Sequence, residues 1–325
     1  MMKQESKTQP IIFFLILTAI FTAIFYKVVA YVDENDLTIA RDPVVEEPIQ
    51  STPRSMEISA TNDDTEEILT LFHAILGNDE ENFSIYLYRP DLEEDPLMFR
   101  SRPMPPASMI KVFILAKLMQ DVHDEKISLD DKIELKSSDL TSGSGVVNGY
   151  KIGTQIEIRK LAELMIAESD NTATNMIIDK IGIDEINKYL DENGYYDTQL
   201  NQKMMQVTRR GRLNSSSVED LGTLFSRIYR HECVNPELDD LMVTFLLRQK
   251  DSECFPAALP NWRIAHKTGE IDRLYDDGGI FYGSDSDFIL VIMNENYSGR
   301  AETIEKMQRI AKLIALNYME KIHQD

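Results

Sequence analysis

Residues 108–120, SMIKVFILAKLMQ, would carry apolar side chains around almost the whole circumference of a helix. Met109, Ile110, Val112, Phe113, Ile114, Leu115, Ala116 and Leu118 leave hardly any polar stripe to face water, so such a helix must be wrapped by other elements. Lys117 lies on the face opposite Ser108 and takes the remaining solvent edge. Lys111 is therefore left pointing inward, one turn after Ser108. Long charged side chains are almost never buried without a partner.

Pro105 and Pro106 predict an extended approach that places Ser108 in the first helical turn, where free N–H groups and the positive helix end favour negative charge. Residues three apart share a helix face, so Ser108 Oγ and Lys111 Nζ can meet. A serine hydroxyl needs a base to become a nucleophile. Lysine serves as that base only when its surroundings lower its pKa, which burial does. The competing reading is an ordinary helix start with a capping serine and an exposed lysine. The helix alone leaves both open.

The rest of the chain supplies the wrapping. NDDTEEILTLFHAILG reads as a helix capped by Asn62 or Asp63 and ended by Gly77. NFSIYLYRP and PLMFRSRP read as a strand pair. From about 106 to 250 the chain is mostly helical by period, in IEIRKLAELMIAE, NTATNMIIDKIG, IDEINKYLDENG and SVEDLGTLFSRIYRH. Strand signals return in NWRIAHKTG, GGIFYG and DFILVIMNE, before a last helix from about Glu302 to His323. The fold class is thus α/β in the α+β sense. One antiparallel sheet is built from the two ends of the chain and flanked by terminal helices, with an all-helical lobe inserted and a cleft between the lobes.

Four segments follow from composition. Residues 1–9 read as a cytoplasmic N-terminus and 10–32, PIIFFLILTAIFTAIFYKVVAYV, as a transmembrane signal anchor. Lys3 and Lys7 precede the run and Asp33, Glu34 and Asp36 follow it, which orients the remainder outward. A cleaved signal peptide ending near VVA at 28–30 is the alternative, giving a secreted rather than a single-pass membrane protein. No cysteine follows the run, so a lipoprotein anchor is excluded. Residues 33–61, acidic with Pro43, Pro48 and Pro53, read as a disordered stalk, and 62–325 as the extracellular folded domain.

The net charge of −21, with no basic block, argues against nucleic-acid binding. Cys233 and Cys254, the only cysteines, match no metal motif; they form either one disulfide or two semi-buried thiols. HExxH, GxSxG and Walker motifs are absent, and no metal or organic cofactor is expected. His73, His123, His231, His266 and His323 show no triad spacing, and His266 should face away from Lys267 on its strand. Glu168 reads as a solvated helix-end charge.

Two later motifs bear on the serine–lysine pair. SDN at 169–171 falls between two helices, and KTG at 267–269 ends a strand, with Gly269 allowing close approach of a ligand to the backbone. Alone, the first is an ordinary helix cap and the second a lysine on an exposed strand. In the order SxxK, SDN, KTG, supported by LMIAESDNTATN, HKTGEIDRLYDDGGI and GSG at 143–145, the chain resembles the class A β-lactamases and penicillin-binding proteins over about residues 62–322.

The resemblance implies a five-stranded sheet of the β-lactamase/transpeptidase type. It implies Ser108 as acylated nucleophile, Lys111 as proton acceptor and Ser169 as donor to the leaving nitrogen. Asn171 would hydrogen-bond the substrate amide and Lys111, and Lys267 and Thr268 would bind the substrate carboxylate. The backbone N–H groups of Ser108 and Glu270 would form an oxyanion hole. Implied partners are a small β-lactam or a peptidoglycan stem peptide.

One family feature is missing. The segment DTQLNQKMMQVTRRGRLNSSS, where efficient class A enzymes carry a deacylating glutamate, contains none. Met204 falls near that position, among Lys203, Met205 and Gln206, with Arg209, Arg210 and Arg212 beyond. Methionine neither orients a water nor takes its proton. Three readings follow: a hydrolase that deacylates by another group, a D-alanyl-D-alanine peptidase or esterase, or a penicillin-binding sensor that acylates and stalls.

Overall fold

The computed structural model describes residues 63–90, 95–206, 213–283 and 286–322. The chain divides into Met1–Ile58 and Ser59–Asp325. The expected anchor at 10–32 and stalk at 33–61 lie outside the described residues. Among the described residues, no helix is long and apolar enough to cross a membrane.

Helix α1 (Asp63–Leu76) leads into β1 (Phe83–Tyr88) and β2 (Leu97–Phe99), followed by α2 (Ile110–His123) and strands β3 (Lys132–Glu134) and β4 (Gln155–Glu157). Then come α3 (Ile158–Ala167), α4 (Asn171–Ile181), α5 (Ile183–Glu192), α6 (Val218–Tyr229) and α7 (Pro236–Leu246). The chain closes with β5 (Arg263–Ile271), β6 (Leu274–Tyr282), β7 (Asp287–Asn294) and α8 (Arg300–Ile322). The sheet runs β2-β1-β7-β6-β5, antiparallel throughout. Both ends of the chain build it, as their patterns require.

Period-two alternation sorts each strand between two cores. Ile85, Leu87, Leu290 and Ile292 pack with Phe72, Met307 and Ile310 of α1 and α8. Tyr86, Val291 and Met293 face the other way, joining α2, α6 and the helical lobe. Covered on both faces, β6 and β7 are buried almost end to end.

Helix α2 is the centre of the second core, with its apolar residues from Ile110 to Met119 buried. Full burial of each such side chain is worth about 1.5–3 kcal/mol, so the wrapping of α2 contributes heavily to the stability of the lobe. Lys117 corrects the sequence expectation. It lies inside, not at a solvent edge, and Asp121 one turn later accepts from its Nζ at 2.6 Å. The helix is enclosed on every side, so the cation required a carboxylate on its own face.

The lobe is also not all helical. Its surface carries the β3–β4 pair, with Ile133 opposite Ile156, so IEI belongs partly to a strand before α3 begins. Cys233 and Cys254 are free thiols, and burial raises the pKa of both.

Candidate active site

Ser108 sits on a 3-10 turn, Ala107–Met109, that precedes α2 instead of forming its first α-helical turn. The approach is not extended, because Pro106 has φ −86° and ψ 0°. Ala107 follows at φ +43°, a left-handed conformation that costs a non-glycine residue about 1–3 kcal/mol. Packing holds this turn in place. Met109, fully buried, fits over the sheet where β5 and β6 carry Gly269 and Gly278.

A Cβ on Gly269 would lie 2.7 Å from the Pro106 carbonyl oxygen and 3.3 Å from the Ala107 methyl. Gly269 therefore admits the serine turn itself to the strand, a correction to the expectation that it admits a ligand. Among the described residues, Ser108 Oγ and its N–H have no hydrogen-bond partner, and the side chain lines a groove.

Lys111 and Lys267 are completely buried and converge on one hydroxyl. Lys111 Nζ donates to Ser169 Oγ at 3.2 Å, to the Ser169 carbonyl at 2.6 Å and to Asn171 Oδ1 at 2.8 Å. Lys267 Nζ donates to the same Ser169 Oγ at 3.1 Å and to the Thr268 carbonyl at 2.8 Å. The expected direct Ser108–Lys111 contact is thus replaced by lysine bonds to the SDN segment. Ser169 reaches this position at φ +50°, a second strained residue at the site.

Burial drives the Lys111 pKa well below the ordinary lysine range, the Lys267 charge lowers it further, and Asp170 partly opposes them. Burial brings Lys267 down to about 7 against the pull of Asp251 and Asp277. A neutral amine can take a proton, and an ammonium beside a hydroxyl makes that hydroxyl a better donor.

Asp170, between the two SDN residues assigned roles, is a clamp that sequence reasoning missed. Its carboxylate caps α4 through Ala173 N and accepts from Val146 N at 2.6 Å and Val147 N at 2.8 Å. Gly145, at φ +130°, has no room for a side chain, because a Cβ would lie 2.3 Å from that carboxylate. Asn171 completes the lock, its amide donating to the Ser142 carbonyl at 3.0 Å.

The groove divides at Ser108. One part, about 460 Å³, is lined by Ser108, Asn171, Met204, Met205, Leu213 and Ile271, among others. Asn175, one helical turn after Asn171, fixes Met204 from both sides. Met204 N donates to Asn175 Oδ1 at 2.8 Å and Asn175 Nδ2 to the Met204 carbonyl at 3.1 Å. NTATN held that signal, an amide repeated at i and i+4 on one helix face. The other part, about 200 Å³, is lined by Ser108, Glu168, Ser169, Gln249, Lys250, Asp251 and Thr268, among others.

Glu270 borders both parts, with its side chain turned out to Arg300 at 2.6 Å, so only its backbone can serve the expected oxyanion hole. Lys267 lines neither part. Glu168 is paired with Lys250, not solvated as its position suggested. His266 bonds Asp277 at 2.8 Å, away from Ser169, as strand alternation demands.

This arrangement can be compared with known proteins. The sequence model of the Beta-lactamase enzyme family matches residues 66–319. The chain belongs to the Beta-lactamase enzyme family. Among curated relatives of this family, Beta-lactamase BRO-1 of Moraxella catarrhalis is 32% identical over 201 residues, covering 59% of this chain and 60% of the relative. The match therefore spans less than two thirds of that protein.

The structure of PBP-A superposes with a TM-score of 0.71 at 25% identity, covering 78% of this chain and 96% of PBP-A. A PBP-A variant with a leucine-to-glutamate replacement, solved as an acyl-enzyme complex with penicillin G, gives 0.70 at 26% identity over 79% and 96% of the two chains. The five-stranded β-lactamase-type sheet expected from the sequence is the sheet observed.

Proposed function

We propose that the protein is a serine acyl-transfer enzyme of the Beta-lactamase family, acylated on Ser108 by β-lactams or D-alanyl peptides, with slow release of the acyl group. The convergence of Lys111 and Lys267 on Ser169 Oγ, beside the strained turn of Ser108, carries this reading. Neutral Lys111 keeps its two N–H groups on the Ser169 carbonyl and Asn171 Oδ1 and turns its lone pair to the Ser108 proton, which it removes as Ser108 Oγ bonds to the substrate carbonyl carbon. The oxyanion is received by the N–H groups of Ser108 and Glu270. As the C–N bond breaks, Lys111 returns its proton through Ser169 to the leaving nitrogen, and the charge on Lys267 favours that transfer.

Slow release is supported by Met204. It stands at the clamped position in the larger cavity and has no proton-accepting atom for a water. The acids that line the groove are tied elsewhere or sit at its rim: Glu270 to Arg300, Glu168 to Lys250, Asp251 to the Tyr275 hydroxyl, and Asp272 exposed.

Intact-mass spectrometry with penicillin tests both halves. A persistent adduct is expected on the wild type and none on Ser108→Ala. No adduct on either would overturn the reading. Steady turnover without accumulation would favour a hydrolase.

The pH dependence of acylation follows from the lysines. Both pKa values are lowered, so each lysine loses its charge at a lower pH than in the unfolded chain. Acylation should fall on the acid side as Lys111 takes up a proton, and again above about 7 as Lys267 loses one. Lys267→Arg should abolish the alkaline limb, because a guanidinium stays charged. An alkaline limb unchanged in Lys267→Arg would assign it to another group.

A further inference from the structure

Even slow release of an acyl group requires a base, and four acids line the groove among the described residues. Glu168, Asp251 and Asp272 each line one of its two parts, whereas Glu270 lines both, as do Ser108 and Ser144. Glu270 also follows Thr268 by two residues on β5, so the two side chains leave the strand on the same side, and Thr268 lines the smaller part. The Glu270 side chain therefore starts beside the acylated serine.

A clasp at the first residue of α8 holds its carboxylate elsewhere. Arg300 Nε donates to Glu270 Oε1 at 2.6 Å and Nη2 donates to Oε2 at 3.0 Å. The same guanidinium donates to Glu253, from Nη1 to Oε1 at 3.1 Å and from Nη2 to Oε2 at 2.6 Å, and lies over the Tyr275 ring at 5.1 Å. Glu253 is tied in turn to α8, its carbonyl accepting from Gln308 Nε2 at 2.8 Å. Neither Arg300 nor Glu253 lines either part of the groove, so the clasp draws the Glu270 carboxylate away from Ser108.

Two carboxylates share one guanidinium, and this lets the clasp open. When Glu270 leaves, Arg300 keeps Glu253 and Tyr275, so its charge stays compensated. The pair is also within reach of water, with Arg300 36% and Glu270 42% exposed, and an ion pair so placed is weak and exchanges. The two-pronged geometry keeps the closed arrangement in the majority. Chemistry that needs the open carboxylate then runs at a rate set by its small population.

We propose that Glu270 is the base that releases the acyl group from Ser108, and that Arg300, as a positioning residue, makes release slow by holding that carboxylate outside the groove. The proposal rests on the acyl-transfer reading above. With the clasp open, the carboxylate takes a proton from water as the water oxygen bonds to the acyl carbonyl carbon. The tetrahedral intermediate then breaks its bond to Ser108 Oγ, which takes that proton from Glu270, and the acyl group leaves as a carboxylic acid. One water is consumed, and Ser108 and Glu270 are regenerated.

Decay of the penicilloyl adduct, followed by intact mass after excess benzylpenicillin is removed, tests this on the full chain. Arg300→Met should shorten the adduct lifetime about tenfold, the effect of losing one charge-assisted pair. Arg300→Lys, which keeps the charge and loses the two-pronged bond, should fall between that variant and the wild type. Glu270→Gln should lengthen the lifetime about tenfold or more, since an amide takes no proton. The double variant Arg300→Met/Glu270→Gln should decay as slowly as Glu270→Gln, whereas a groove merely loosened by the loss of Arg300 would decay fast with either residue at 270. A wild-type lifetime in Arg300→Met or in Glu270→Gln, or a double variant as fast as Arg300→Met, overturns the proposal while leaving acylation of Ser108 intact. No adduct on the wild type removes the acyl-transfer reading, and this proposal with it.

Discussion

Lys111→Met is expected to slow acylation of Ser108 by about 10²–10⁴-fold, the usual contribution of a positioned general base. Methionine fills a similar volume, so the loss would come from the missing base and not from a collapsed core. A stability measurement separates the two causes. The Lys111 pKa is lowered in the fold, chiefly by burial, so the folded state resists protonation that the unfolded chain accepts. The wild type should therefore lose stability as pH falls from the ordinary lysine range toward the lowered value, and level off below it.

Lys111→Met removes that penalty and should melt higher near neutrality, offset in part by the acceptors left on Ser169 and Asn171. Lys111→Arg should be as inactive as the methionine variant, since a guanidinium does not give up its proton. Stopped-flow acylation and thermal melts across pH check both. Near-wild-type acylation in Lys111→Met would assign the base elsewhere.

Met204→Glu is expected to speed deacylation by about 10²–10⁴-fold, again the range of one general base. The Asn175 amide grips the Met204 backbone rather than its side chain, so the clamp survives the exchange. The new carboxylate would enter the cavity shared by Ser108 and Asn171, where a water must sit to attack the ester. The fold would lose stability by holding a carboxylate at a position only 8% exposed. Met204→Gln is the control. It can hold a water but cannot take its proton, so the adduct should persist. If the glutamate variant retained the adduct as long as the glutamine variant, the block to deacylation would lie in water access.

Much of this site was legible because its chemistry is written in short local patterns. SxxK, SDN and KTG appear in order, and the strands read as strands because both their ends and their apolar alternation are local properties. Helix α2 was recognised as buried from its composition alone. The sequence could not say what stands around a buried helix, and so it placed Lys117 in water when Asp121 had already neutralised it inside.

The same limit applies to the lysines of the site. Sequence pointed Lys111 inward beside Ser108, because an almost all-apolar helix leaves little room for an exit, but it left an exposed lysine open. The resemblance implied its bond to Asn171, and the tertiary structure added that Ser169 accepts from it too and that Lys267 arrives at the same oxygen from the sheet edge. Gly269 was read as room for a ligand and proved to be room for the serine turn. Glu168 and Lys250 lie 82 positions apart, and no local pattern joins them. Backbone periodicity fixes which side of an element a residue faces. What it meets there depends on segments that chain connectivity brings from far away.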